Sequence, residues 1–259
     1  MEDTNKVIFA GAGPGDPELI TVKAMKALGS ADLIIYAGSL VPEAVLCWKG
    51  EKTQVLSSED MDLAGIVNTI QLSFSKGKKV VRLHTGDPAL YGAIFEQMRE
   101  LQALNIPYEV IPGVTAAFAA SARMRMEYTL PEETQTLILT RISGRTPVPD
   151  AEDLDKLAAH RSALAIYLSL GQIQRVQSIL ETHYGKDGIC AVAFKVSHPD
   201  EKIIYTRIDR LVKTCEENRI TRHALIIAGK SVEASLDPIH ILSSKLYDSG
   251  FSHGYRAAK

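Results

Sequence analysis

Short apolar runs recur along this chain, and the early ones lead straight into glycine turns. Val7-Ile8-Phe9-Ala10 is followed by Gly11-Ala12-Gly13-Pro14-Gly15-Asp16-Pro17. Val80-Val81-Arg82-Leu83 runs into His84-Thr85-Gly86-Asp87-Pro88, and Tyr108-Glu109-Val110-Ile111 into Pro112-Gly113. Unbroken apolar runs are the mark of strands covered on both faces, and strand, helix, strand in this rhythm requires right-handed parallel crossovers. The pattern predicts an α/β protein whose first half is a parallel sheet. Leu33-Ile34-Ile35-Tyr36 supplies a further strand. A helix is expected from Leu19 to Leu28, with Gly29 placed to end it, and Ile94, Met98, Leu101 and Leu104 have the spacing of another.

A second series of strands follows Pro112-Gly113: 136–140, 163–168, 190–194, 203–206 and 224–228. The runs around Val192 and Ile204 are separated by a connection built on Ser197-His198-Pro199-Asp200, too short for a helical crossover, so those two are expected to form a hairpin. The second half is therefore expected to be a mixed sheet. The domain change falls near 112–120, giving an N-terminal domain 1–115, a C-terminal domain 116–235 and a loose tail 236–259. The polar stretch 143–153 reads as an exposed loop.

Composition narrows the function. Hydrophobic residues make up 46% of the 259, so a core is easily built. A formal net charge of -2 argues against broad contact with a nucleic-acid backbone. No stretch approaches the roughly 20 apolar residues of a membrane span, and the opening Met1-Glu2-Asp3-Thr4-Asn5 is unlike a secretory leader. The scattered Cys47, Cys190 and Cys215 have no zinc spacing and suit a reducing compartment, so the expected location is the cytoplasm. No histidine has metal-ligand spacing to another; no metal site is expected.

The three turns are the candidate site. The first is not a dinucleotide fingerprint, because Asp16 stands where the last glycine belongs and Pro14 lacks the N–H that a pyrophosphate wants. A Walker loop is excluded by the missing Gly-Lys-Ser/Thr. In the second turn, Asp87 before Pro88 reads as a helix N-cap with proline in the first position. In the third, Thr115 can cap a helix. Turn geometry alone accounts for each motif singly; two glycine turns at one end of one sheet line a crevice of the kind that holds ligands.

Taken together, these motifs resemble the tetrapyrrole methylase family from Val7 to about Gly229, also through Ala31-Asp32-Leu33-Ile34-Ile35-Tyr36, Tyr167-Leu168 and Ala224-Leu225-Ile226-Ile227-Ala228-Gly229. Tyr36-Ala37-Gly38-Ser39-Leu40-Val41-Pro42, His84 to Pro88, Leu139-Thr140-Arg141 and Gly144-Arg145-Thr146-Pro147 are similar to the branch that methylates carbon 11 of precorrin-4 or its cobalt form. The resemblance implies two α/β domains, S-adenosylmethionine as methyl donor in a pocket between them, a trough for a tetrapyrrole substrate, and a homodimer. It also implies a cofactor shell of Pro14, Thr85, Gly86, Asp87, Leu90, Thr115, Ala116 and Leu168, with Ser197 and Ala224. No catalytic residue is assigned. The uroporphyrinogen branch has an aspartate after the tyrosine matching Tyr36, where this chain has Ala37. Arg82, Arg123, Arg125, Arg141, Arg145 and Lys195 are candidates for the substrate carboxylates. A methylase of the same fold acting on another precorrin position, on RNA or on protein, and a non-catalytic cofactor sensor, are the competing possibilities.

Overall fold

A computed structural model describes residues 5–38, 41, 43–237, 244–252 and 254–257. Ser39, Leu40 and Pro42 of the branch segment, Met1 to Thr4 of the acidic opening and 238–243 of the expected tail lie outside the described residues. The chain forms two compact units, one of residues 1–119 with 197–199, the other of 120–196 with 200–259.

The first unit holds a five-stranded, wholly parallel sheet in the order β3-β2-β4-β1-β5. Its strands are β1 (Val7–Gly11), β2 (Leu33–Tyr36), β3 (Gln54–Ser57), β4 (Val80–His84) and β5 (Tyr108–Ile111). The apolar runs of β1 and β2 are continuous because both faces are covered. Ala10, Ile34, Val81 and Leu83 pack with Ala24 and Leu28 of α1 (Val22–Gly29). Phe9, Ile35 and Val80 pack with Ile66 and Ile70 of α2 (Leu63–Phe74) and Leu101 of α3 (Ile94–Ala103). Strand alternation puts Arg82 and His84 on the same face as Val80.

Three details differ from expectation. The first helix starts at Val22, capped by the Thr21 side chain, after a separate 3₁₀ turn at Pro17–Leu19; Gly29 lies inside it and Ser30 caps it. Asp87-Pro88 does not open a helix: Asp87 closes a turn, and α3 begins only after Ala93, which is left-handed at φ 48. Strand β3 escapes the hydrophobic pattern because only its two middle residues are apolar.

The second unit holds a mixed sheet in the order β6-β7-β10-β8-β9. Strands β6 (Leu137–Arg141) and β7 (Ala163–Tyr167) are parallel, whereas β10 (Ala224–Ala228) is antiparallel to both β7 and β8 (Ile189–Phe194). Strands β8 and β9 (Lys202–Arg207) form the expected hairpin. Its core sets Leu164, Ile166, Val192 and Ile226 against α5 (Leu154–Ala158), α6 (Ile173–Tyr184) and α7 (Leu211–Glu217). Helix α4 (Ala116–Met124) spans the change between units, and α8 (Lys230–Leu236) follows β10. The stretch 143–153 is irregular apart from a 3₁₀ turn at Asp150–Glu152.

Candidate functional site

Parallel pairing brings the carboxyl ends of β4, β1 and β5 side by side, with Gly11 in register with His84 and Ala10 with Ile111. The turns that leave these ends interlock through backbone. Gly13 and Gly86 exchange hydrogen bonds (Gly86 N to Gly13 O 2.8 Å; Gly13 N to Gly86 O 3.3 Å), and Ala12 N donates to His84 O at 2.7 Å. A Cβ on Gly11 would fall 2.5 Å from Gly86 O and 2.6 Å from the Gly113 Cα; one on Gly113 would fall 2.1 Å from Gly86 O. Only glycine permits this approach. The three motifs that the sequence suggests separately are one cluster of backbone.

Asp87 fastens the cluster. One carboxylate oxygen accepts from Ala89 N (2.8 Å) inside its own turn, and the other accepts from Gly113 N (2.9 Å) in the neighbouring turn. Leu90 N donates to Asp87 O at 3.2 Å, so Leu90 rides on the same turn. Pro14 and Thr115 are buried and Thr85, Gly86 and Ala116 half-buried around it. The tip of the β8–β9 hairpin, Ser197–Pro199, also belongs to this unit. Asp16 N donates to Ser197 Oγ at 2.9 Å, and the His198 ring lies so close to Gly15 that a Cβ there would meet its Cδ2 at 2.5 Å. The structure therefore brings together Pro14, Thr85, Gly86, Asp87, Leu90, Thr115, Ala116 and Ser197. Nothing in the sequence singles out His198 as a neighbour of Gly15, since the contact depends on where a hairpin tip lands.

Beneath the turns lies a polar pair in an apolar layer. Arg82 is buried, its Nε donating to Gln97 Oε1 (3.1 Å) and its Nη1 to Ile35 O (3.2 Å). Arg82 is thus withdrawn from the set of residues available to substrate carboxylates. Burial lowers its pKa to about 10, which leaves it charged at neutral pH. His84 is also buried, 6.2 Å from the Phe9 ring, with Nε2 lacking a partner among the described residues. Burial, with the Arg82 charge second, lowers the His84 pKa to about 3, so it is neutral at neutral pH.

At the end of β2, Ala37 offers no titratable group, but a Cβ on the adjacent Gly38 would meet Glu59 Cβ at 2.7 Å and its Oε2 at 3.0 Å. The Glu59 carboxylate was not among the sequence candidates; a single acid past an unrecognised edge strand gives no pattern to find.

Leu168 and Ala224 lie on the second unit. Leu168 follows β7, is 67% exposed and has φ 52. Ala224 is the half-buried first residue of β10. Of the candidate cations there, Arg123 pairs with Glu201 at 2.6 Å, and Lys195 pairs with Asp200 at 2.5 Å while lying 5.4 Å from the Phe194 ring centroid. Arg141 donates to Thr146 O (3.0 Å) and Pro147 O (2.8 Å), shaping its own loop. Arg125 and Arg145 are exposed and make no ion pair among the described residues. Those residues hold no cluster of metal-ligating side chains, and no helix long and apolar enough to cross a membrane.

Comparison with known proteins places this geometry in context. Residues 6–212 match the family described as tetrapyrrole (corrin/porphyrin) methylases. A cobalt-precorrin-4 C(11)-methyltransferase of Methanocaldococcus jannaschii is 45% identical over 99% of this chain and 98% of that protein. A precorrin-4 C(11)-methyltransferase of Pseudomonas aeruginosa is 42% identical over 96% and 98%. Among solved structures, a cobalt precorrin-4 methyltransferase superposes with a TM-score of 0.85 at 42% identity, over 88% of this chain and 95% of that one. Uroporphyrin-III C-methyltransferase from Thermus thermophilus, solved with S-adenosyl homocysteine, shares the fold with a TM-score of 0.70 at 24% identity, over 89% and 94%.

Proposed function

This chain belongs to the tetrapyrrole (corrin/porphyrin) methylases, and from that premise we propose that it moves the methyl group of S-adenosylmethionine to carbon 11 of precorrin-4, metal-free or holding cobalt, on the route to cobalamin. Relatives named for that reaction match it over nearly its whole length. The observation that carries the proposal is the interlocked backbone of Gly11, Gly86 and Gly113. It presents a rigid, side-chain-free surface at the carboxyl ends of three parallel strands, where ligands of such sheets bind. The residues fit the cofactor on a physical ground. Gly86 has φ +59 and nothing closer than 3.7 Å to its missing Cβ, so a space exists that any side chain would fill. Pro14, Thr85, Gly86, Asp87, Leu90, Thr115, Ala116 and Ser197 would hold the cofactor in this unit.

When bound, S-adenosylmethionine supplies an activated methyl group on a positively charged sulfur. The chain's own task is to orient. Positioning of this kind is worth roughly 7–11 kcal/mol of a barrier, provided the groups that do it are rigid. The turns meet that condition because Asp87 spends both oxygens on backbone N–H groups. Asp87 is thereby a brace, and His84 is a neutral buried ring whose lowered pKa makes it a poor proton acceptor. No general base is assigned in this scheme, and the proton released after methylation goes to water.

Of the six candidate cations, Arg125 and Arg145 are the two on the second unit left for substrate carboxylates. The working form is a cytoplasmic homodimer, for which the exposed Leu72, Phe95 and Phe118 offer apolar contact surface. Calorimetry tests the cofactor assignment. Binding of S-adenosylhomocysteine without added metal is expected; binding of a nicotinamide dinucleotide in its place would overturn it.

A further inference from the structure

The turn that carries Gly86, Asp87 and Leu90 has two ends. Its front is held by the Gly13–Gly86 bridge and by Asp87. Its back is strained: Tyr91 has φ 57 and Ala93 φ 48, and the Gly92 between them packs so tightly that a Cβ would lie 2.2 Å from Pro88 O. Left-handed backbone at non-glycine residues costs about 1–2 kcal/mol each and persists only where surroundings enforce it. Ala93 is the N-cap of α3 and has no side-chain cap of its own. What reaches it is Gln97, whose Nε2 donates to Ala93 O at 3.2 Å while its Oε1 accepts from Arg82 Nε. Arg82 in turn donates to Ile35 O on β2. No carboxylate pairs with this buried guanidinium among the described residues, although buried charges are normally paired.

We propose that Arg82 and Gln97 are positioning residues that anchor the back of the 86–93 turn, and so set the affinity for S-adenosylmethionine without touching it. The inference rests on the cofactor assignment above. An apolar pair of similar volume would fill this layer at less cost, since exchanging buried charged groups for hydrophobes is often neutral or stabilising. The polar pair does what hydrophobes cannot: through two neutral acceptors it ties the strained first turn of α3 to the centre of the sheet.

Gln97→Glu separates the two roles. A carboxylate at this position keeps, and strengthens, the acceptor for Arg82 but loses the donor to Ala93 O. The double variant Arg82→Met/Gln97→Met removes the whole link with an apolar replacement. Both are expected to keep a cooperative thermal transition, and Gln97→Glu to melt no lower than the unmodified chain. Both should bind S-adenosylhomocysteine roughly three- to tenfold more weakly, the worth of one net hydrogen bond. In turnover, the KM for S-adenosylmethionine should rise by the same factor while kcat and the KM for the tetrapyrrole stay put, as expected for lost uniform binding. Wild-type affinity in either folded variant overturns the proposal. So does loss of the cooperative fold in both, because the pair would then hold up the whole unit and not the turn. Failure of the unmodified chain to bind S-adenosylhomocysteine would refute the cofactor assignment instead.

Discussion

Replacing Gly113 with alanine tests the interlock where it is tightest. The new methyl group would lie 2.1 Å from Gly86 O, 2.8 Å from the Gly11 Cα and 3.1 Å from the Gly86 carbonyl carbon, against the 3.4 Å at which ordinary contact begins. All three obstacles are backbone, so no side chain can swing aside, and the turns after β4 and β5 must part by roughly 1 Å. Gly113 is not left-handed, so alanine's own backbone preference adds no cost. Overpacking costs about 1–3 kcal/mol, and moving the turn also weakens the bond from Gly113 N to Asp87 Oδ2. The expected loss is about 2–4 kcal/mol. Trp48, the single tryptophan, lies in this unit with Nε1 donating to Pro17 O at 3.1 Å, so its fluorescence in a urea titration reports the unit's unfolding. The midpoint should fall, and affinity for S-adenosylhomocysteine should fall with it. Gly29→Ala is the control of opposite sign: its Cβ meets nothing closer than 3.5 Å, and alanine inside a helix gains about 0.5–1 kcal/mol. An unchanged midpoint and affinity in Gly113→Ala would refute the interlocked turns.

Gly86→Val should lose about 1–2 kcal/mol to the left-handed backbone yet stay folded, and bind no measurable S-adenosylhomocysteine; normal affinity in calorimetry would make the turn merely structural. General-base assistance is typically worth 10²–10⁴-fold, so Tyr36→Phe, Glu59→Gln, His84→Gln and Asp87→Asn should each cost less than about 100-fold in single-turnover methyl transfer once both ligands are saturating. A larger loss in a variant that binds normally would identify the missing base. For His84 the folded pKa of about 3 lies below the ordinary 6.5, so the unfolded chain takes up the proton first as pH falls. Stability should therefore be intact above pH 6.5 and decline towards pH 3 by up to about 1.4 kcal/mol per pH unit from this group. Urea titrations across that window should show a shallower decline for His84→Phe; equal slopes would place the imidazole outside the core.

Much of the architecture is legible in the chain because burial on both faces leaves unbroken apolar runs, as at Val7–Ala10 and Leu33–Tyr36. The short connection between the runs around Val192 and Ile204 suffices to imply a hairpin. Edge strand β3 is not legible, because Gln54 and Ser57 dilute its apolar signal to two residues. Asp87-Pro88 has every local mark of a helix start, yet the left-handed Ala93 delays the helix, and local preference does not reveal a conformation imposed by tertiary contacts. The glycines of the site are visible as turns; that Gly11, Gly86 and Gly113 are glycine because they touch one another is visible only in three dimensions. Arg82 shows the reverse error: its charge suggests a substrate contact, whereas strand alternation and Gln97 bury it.

The proposed reaction is open to one direct measurement. The purified chain, given precorrin-4 or its cobalt complex and S-adenosylmethionine bearing an isotope-labelled methyl group, should yield a product heavier by one methyl, with nuclear magnetic resonance placing the label on carbon 11. A labelled methyl on another carbon, or no transfer to either form by protein that binds S-adenosylhomocysteine, would contradict it.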